Sequence, residues 1–275
     1  MNAFPANLTL ESPPGPRYKP YTLRNVAQLE QFQSLPEDLR FAVRVVGEVL
    51  PFRTNNYVVE QLINWSNVPQ DPMFVLNFPQ REMLSPAHFD TMARLIRREA
   101  SREEIRAQAD RIRLELRPHP AGQLEANRPE MEGHTLRGMQ HKYRETVLFF
   151  PSQGQTCHAY CSFCFRWPQF VGMDELKIAM NESETLVQYL RAHPEVSDVL
   201  FTGGDPLIMR TKTLAGYIEP LLRANLPNLR TIRIGTKALS YWPYRFLTDP
   251  DAEQLLDLFE RVAGSGRHVA IMAHF

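Results

Sequence analysis

Apolar residues recur along this chain in two rhythms, and the change between them divides it. Over residues 22–117 the spacing is helical. Leu35-Pro36-Glu37-Asp38 reads as a helix start, and Phe41, Val45, Val46 and Val49 follow on one face. Residues 56–65 predict a second, short helix. Ser85-Pro86 opens a third, with Phe89, Met92, Leu95 and Ile96 as its apolar stripe. Residues 101–116 predict a fourth, dense in charge. Prolines make residues 1–20 a disordered tail, and residues 118–145, poor in apolar side chains over much of their length, are expected to be a linker.

From residue 146 short apolar runs alternate with amphipathic stretches. Strands are expected at 147–150, 198–202, 231–234 and 268–272, with helices at 182–192, 211–224 and 251–263 between the later ones. Strict alternation predicts parallel strands joined by right-handed crossovers, an α/β fold over residues 146–275. A strand at the terminus with nothing beside it leaves an open edge, so the domain is expected to continue past Phe275 or to have that edge covered.

The 275 residues suffice for one large domain or two modest ones, and 43% apolar content supports a core. Lys plus Arg (31) equals Asp plus Glu (31). That balance argues against a dedicated nucleic-acid or membrane-surface binder and leaves room for a local patch. No apolar run approaches the roughly 20 residues of a membrane span, and the first 20 residues lack the pattern of a signal peptide. A cytoplasmic location is expected.

The three cysteines change the picture most. They stand as Cys157-His-Ala-Tyr-Cys161-Ser-Phe-Cys164, an odd and clustered set that makes a poor disulfide framework. Reduced thiolates acting as metal ligands fit better. Tight spacing lets one loop wrap three corners of an iron–sulfur cube, leaving the fourth iron open to another ligand. The loop follows a strand, and active sites form at the carboxyl ends of parallel strands. Zinc is the competing reading, with His158 or His141 as a fourth ligand, but no second knuckle accompanies the first. Nearby, Gly203-Gly204-Asp205-Pro206 ends a strand; its glycines allow close approach of backbone to a ligand, or Asp205 simply caps a helix. The Arg166 fork suits a carboxylate or balances cluster charge. Thr236, Lys237 and His274 fall at carboxyl strand ends, lining a nucleoside pocket or facing solvent.

Cysteines spaced three and two apart resemble the radical S-adenosylmethionine signature. Residues 133–275 more narrowly resemble the lysine 2,3-aminomutase family. The resemblance runs through His141-Lys142-Tyr143, Cys164-Phe165-Arg166, Asp198-Val199-Leu200-Phe201-Thr202-Gly203-Gly204-Asp205-Pro206-Leu207, Arg233-Ile234-Gly235-Thr236-Lys237 and Ala273-His274-Phe275. In the helical half, Asp71-Pro72 to Phe78-Pro79 is also similar. The likeness implies a partial, TIM-like (β/α) barrel of radical type, incomplete after its fourth strand.

It also implies a [4Fe-4S] cluster on Cys157, Cys161 and Cys164, with S-adenosylmethionine on the open iron. A 5′-deoxyadenosyl radical would abstract hydrogen, and a 2,3-amino shift on an amino acid would follow with pyridoxal phosphate. Gly203, Gly204 and Asp205 would contact S-adenosylmethionine, Arg166 the substrate α-carboxylate, and Lys142 and Tyr143 the pyridoxal phosphate. The family's lysine for that cofactor lies beyond the point matching Phe275. Its partners would be a small amino acid and an electron donor such as flavodoxin or ferredoxin, and a homo-oligomer is compatible. Three departures leave the substrate open: Thr146 where a basic residue is common, Trp167-Pro168-Gln169-Phe170 in place of a basic run, and Lys237-Ala238-Leu239 where an arginine stands. A radical enzyme without pyridoxal phosphate and a non-catalytic zinc- or cluster-binding protein are the alternatives.

Overall fold

The computed structural model describes residues 15–120 and 122–275. Most of the expected tail, residues 1–14, lies outside them. Its last residues are ordered: strand β1 (Pro20–Tyr21) pairs antiparallel with β2 (Thr54–Asn55). The helices of this half are α1 (Glu30–Gln33), α2 (Glu37–Val49), α3 (Pro72–Asn77), α4 (Pro86–Arg97) and α5 (Arg102–Glu115). Their starts are written in side chains. Asp71 accepts the Phe74 N–H (2.8 Å), and Ser101 and Glu104 form a reciprocal capping box.

The helix expected at 56–65 forms over residues 56–62, widening at Val58–Leu62, and after a break at 63–64 a 3-10 turn, Trp65–Asn67, follows. Two asparagines set the starts of these turns. Asn55 Oδ1 accepts the Val58 N–H (3.1 Å) and caps the first, and Asn64 Oδ1 accepts the Ser66 N–H (3.2 Å) and caps the second. Val45, Val46, Met92, Ile96 and Ile112 form one core between α2, α4 and α5. Phe32, Phe52, Phe74 and Phe78 form a second.

The expected linker is partly structured. It holds a small hairpin, β3 (Glu130–Met131) with β4 (His134–Thr135), and ends in strand β5 (Met139–Tyr143). The sequence hid β5 because it has few large apolar residues and a register shift between Gln140 and Tyr143. β5 runs antiparallel to β6 (Thr146–Phe149). Then β7 (Asp198–Phe201), β8 (Thr231–Thr236) and β9 (His268–Ala273) add in parallel, giving the order β5-β6-β7-β8-β9.

The crossovers are α6 (Ser183–Ala192), α7 (Thr211–Arg223) and α10 (Ala252–Gly264). Short helices α8 (Ala238–Tyr241) and α9 (Tyr244–Leu247), not expected from the sequence, intervene after β8. The result is a mixed α/β architecture with a mostly parallel sheet, compatible with the expected partial α/β fold. Alternate residues Val147, Phe149, Val199, Phe201, Ile232 and Ile234 enter one continuous core with the crossover helices.

The two halves meet at the cysteine loop. Tyr160 N–H donates to the Arg53 carbonyl (2.9 Å), and Ser162 N–H to the Leu76 carbonyl (2.8 Å). Asn55, fully buried, donates through Nδ2 to the carbonyls of His158 (3.1 Å) and Tyr241 (3.0 Å). Ala159, midway between two cysteines, is fully buried in the aromatic core of the helical half. Replacing Asn55 by Ala orphans two buried carbonyls and one N–H. A loss of about 1–3 kcal/mol in unfolding free energy is expected, and urea denaturation of the variant measures it.

Candidate functional site

Strand β6 delivers the chain to the carboxyl end of the sheet, where a 3-10 turn (Ser152–Gly154) leads into the cysteine loop. The glycine turn after β7 holds that loop. Gly203 has φ +132°, a conformation that disfavours other residues, and a Cβ on Gly204 would overlap the Thr156 backbone. Close contact lets Asp205 N–H donate to the Thr156 carbonyl (2.6 Å), one residue before Cys157. The glycines therefore serve an approach of backbone to the cysteine loop itself.

Asp205 is buried and fully engaged. Its Oδ1 accepts the Leu207 N–H (2.9 Å) and the Thr236 hydroxyl (2.7 Å), while Oδ2 accepts the Lys237 N–H (2.8 Å). It caps the turn Pro206–Ile208 and also braces the end of β7 against the end of β8. Thr236 and Lys237, expected to line a nucleoside pocket, direct their polar groups into this brace and the loop instead. Lys237 Nζ donates to the Ala159 carbonyl (3.0 Å) and approaches Cys161 Sγ (3.0 Å), with the Tyr241 ring 3.7 Å away. Burial opposes its charge, but as thiolates the facing sulfurs of Cys157 and Cys161 outweigh burial and hold the ammonium above the ordinary lysine range.

The sulfurs feel the opposite pressure. Burial pushes the Cys157 thiol up to about 12, with Asp205 adding to the shift and Lys237 opposing it. Burial also raises Cys164. A thiol so placed becomes a thiolate when a cation takes its proton's place, which is how metal ions bind such groups. Arg166 lies just beyond. Its Nη1 donates to Thr202 Oγ1 (2.6 Å) and the Gly203 carbonyl (3.4 Å), and the Phe150 and Phe165 rings flank it at 5.2 Å. Burial lowers its pKa while Cys164 supports its charge.

Two aromatic residues between and after the last cysteines, Phe163 (69% exposed) and Phe165 (63%), stand open beside the sulfurs. Sequence reasoning missed Phe163 although its place between two cysteines was a signal. It also missed Arg245, a buried guanidinium that ties the carbonyls of Leu207 and Met209 to Asp251 and fixes the segment after the glycine turn. Nothing in the local sequence marks that arginine.

The remaining candidates scatter. His274 is exposed, and its backbone engages Thr236 and Ser240. Lys142 and Tyr143 are exposed on β5, where Tyr143 pairs with Thr146 at the amino end of the sheet, away from the cysteine loop. His141, also on β5, bonds Tyr189 (2.6 Å). His158 is buried beside Asp205 (3.9 Å), neither ring nitrogen has a hydrogen-bond partner among the described residues, and burial lowers its pKa to about 4. Among the described residues no three His, Cys, Asp or Glu side chains gather as ligands of a single ion. A four-iron cluster asks for another donor set: thiolates on separate corners, each on its own iron. Three thiols on one loop, with a buried ammonium at one of them, fit that demand.

Fold and loop together define an α/β protein whose candidate active site is a three-thiol loop at the carboxyl ends of parallel strands. No protein-family model matches the chain. An Aquifex aeolicus protein named "Putative L-lysine 2,3-aminomutase" is 34% identical over 254 residues, covering 92% of this chain and 56% of that protein. The L-lysine 2,3-aminomutase of Bacillus subtilis is 27% identical over 229 residues, 83% of this chain and 40% of the relative. That of Clostridium subterminale is 32% identical over 143 residues, 52% and 33% respectively. The chain belongs to a lysine 2,3-aminomutase-like family. It spans about half the length of these relatives or less.

Two outcomes follow from the site's packing. Gly204→Ala forces the Thr156 backbone away and is expected to lower the melting temperature by several degrees, on the order of 4 °C per kcal/mol lost at this size or below. In iron-free protein, Cys157 stays neutral in the fold but ionises in the unfolded chain. Its stabilising contribution is complete below the ordinary thiol value of 9.0 and is lost as pH rises toward about 12. Urea midpoints over that range should fall more steeply for the iron-free protein than for Cys157→Ala.

Proposed function

We propose that this chain generates the radical of an S-adenosylmethionine-dependent enzyme and acts on an α-amino acid, as a lysine 2,3-aminomutase-like isomerase. The observation that carries the reading is the three-thiol loop with the Lys237 ammonium 3.0 Å from Cys161 Sγ. Cys157, Cys161 and Cys164 would hold a [4Fe-4S] cluster. Such a cluster would supply the one-electron reduction by which S-adenosylmethionine is cleaved to methionine and a hydrogen-abstracting 5′-deoxyadenosyl radical.

The chain's own residues have separable tasks. Lys237 places a buried positive charge against thiolate, offsetting charge gathered on the loop. Asp205 and the two glycines fix the loop to the sheet. Phe163 offers an exposed ring to a purine. Arg166 binds the substrate carboxylate: Thr202 and Gly203 occupy Nη1, and the rest of the guanidinium has no hydrogen-bond partner among the described residues. Fixing that fork beside the sulfurs aims the amino acid at the radical.

Pyridoxal phosphate has the weaker footing. Lys142 and Tyr143 stand exposed at the other end of the sheet, and the buried Lys237 is engaged with Ala159 and Cys161. By resemblance its imine-forming lysine falls in the part of the relatives that this chain does not span. This placement favours, as second reading, a radical enzyme that does not use pyridoxal phosphate.

Anaerobic reconstitution tests the proposal. Four irons per chain and dithionite-driven release of 5′-deoxyadenosine are expected, both lost when any one cysteine becomes Ala. Stoichiometric zinc without cleavage would sink it. Arg166→Gln is expected to leave iron loading intact and to raise the amino-acid dissociation constant roughly 10- to 100-fold, the worth of a charged hydrogen bond.

A further inference from the structure

Charge balances over the whole chain, but not within one cleft of the helical half. A cavity of about 1230 Å³ lies between the turn at 22–27, α2 and α5. Seven arginines line it against two glutamates, Glu37 and Glu48. Glu48 is already spent on Arg102 (3.3 Å), and Asp110 serves Arg113 (2.6 Å) and Arg106 (3.8 Å). Arg24, Arg40, Arg44 and Arg53 pair with no carboxylate among the described residues. The Nε atoms of Arg40 and Arg53 are buried without a hydrogen-bond partner among the described residues. So many unmatched guanidinium groups in one cleft repel each other, and an anionic partner relieves that repulsion.

The position of the cleft says what the partner is for. Its lining includes Tyr160, the neighbour of Cys161, and Phe170, and these two rings stack at 4.5 Å. Arg53, also in the lining, accepts the Tyr160 N–H through its carbonyl. The glycine turn meets the cysteine loop through Thr156; the arginine cleft meets it through Tyr160. The basic groups extend outward from there to an open rim, where the side chains of Arg102 and Arg106 are 85% and 72% exposed. A small anion needs a few buried contacts, whereas charges spread from loop to rim match a broad acidic surface.

We propose that this cleft docks the acidic face of a one-electron carrier protein, which reduces the cluster through the outer side of the cysteine loop. The inference rests on the radical function proposed above. The step moves one electron: the reduced carrier is oxidised by one, the cluster is reduced by one, and no bond is made or broken. Opposite charges speed the encounter and orient it, and added salt screens both effects.

The test uses the iron-loaded protein with two probes, an acidic flavodoxin and an acidic ferredoxin, and the double variant Arg24→Glu/Arg44→Glu. Both side chains are exposed, so the fold is expected to survive, and an unchanged melting temperature checks it. Wild-type protein is expected to bind at least one carrier, more weakly as salt rises, and the variant to bind it at least ~10-fold more weakly. Carrier-driven reduction of the cluster slows by a similar factor, while dithionite reduces both proteins alike. A wild-type protein that binds neither carrier overturns the proposal. Equal carrier binding by the variant also overturns it, as does a variant that loses RNA or nucleotide binding instead. If dithionite yields no 5′-deoxyadenosine from wild type, the radical reading fails, a result distinct from any loss in the binding measurement.

Discussion

The structure turns on a loop that cannot satisfy itself. Between Gln155 and Arg166 the chain makes no helix or strand, yet much of it is buried, so its backbone donors and acceptors need partners from elsewhere. Arg53 and Leu76 supply carbonyls from the helical half, and Asn55 supplies an amide. Asp205 and Lys237 supply donors from the sheet. Neither half alone completes the set, which is why a helical region and a mostly parallel sheet are packed around this one segment.

Within that loop two electrostatic demands oppose each other. Burial favours neutral thiols and raises Cys157 to about 12. A metal site requires thiolates. The fold also brings cations to the sulfurs: the buried Lys237 against Cys161, and the half-buried Arg166 a short way beyond Cys164. An isolated buried charge is costly, and a pair with further hydrogen bonds is far less so. Lys237 has such bonds to Ala159, and its own N–H is fixed by Asp205. The lysine stands where an arginine was expected by resemblance. A compact ammonium reaches a sulfur and a carbonyl together from one point, where a planar fork would spread its donors.

Much of this was legible in the residues. The parallel strands appeared because short apolar runs alternate with amphipathic stretches, and α4 and α5 because helical spacing follows Ser85 and Ser101. The three cysteines declared themselves by number and spacing. What stayed hidden has physical reasons. β5 has few large apolar residues and a register shift, so it reads as loop until a neighbour pairs with it. The break at 63–64 depends on the Asn64 side chain capping a new turn, and composition does not reveal that it will. Thr236 and Lys237 were placed at the right end of the sheet, but the direction of their side chains is set by Asp205, a partner more than 30 residues away in sequence. Arg53, Asn55 and Arg245 carry no local mark at all; each matters through what it touches across the fold.

The distances along the chain between the loop and its supports carry one more consequence. Tyr18 reaches the His158 carbonyl across 140 residues, Asn55 reaches it across 103, and Lys237 reaches Ala159 across 78. Contacts of that span form late, because each must close a long stretch of chain before it repays the lost entropy. The loop is thus among the final parts of the molecule to become ordered, and its sulfurs are most accessible while both halves are still finding one another. Burial of the thiols is then a late event too: Cys157 is covered only once both halves have closed on it, while Cys161 and Cys164 stay half-exposed even then.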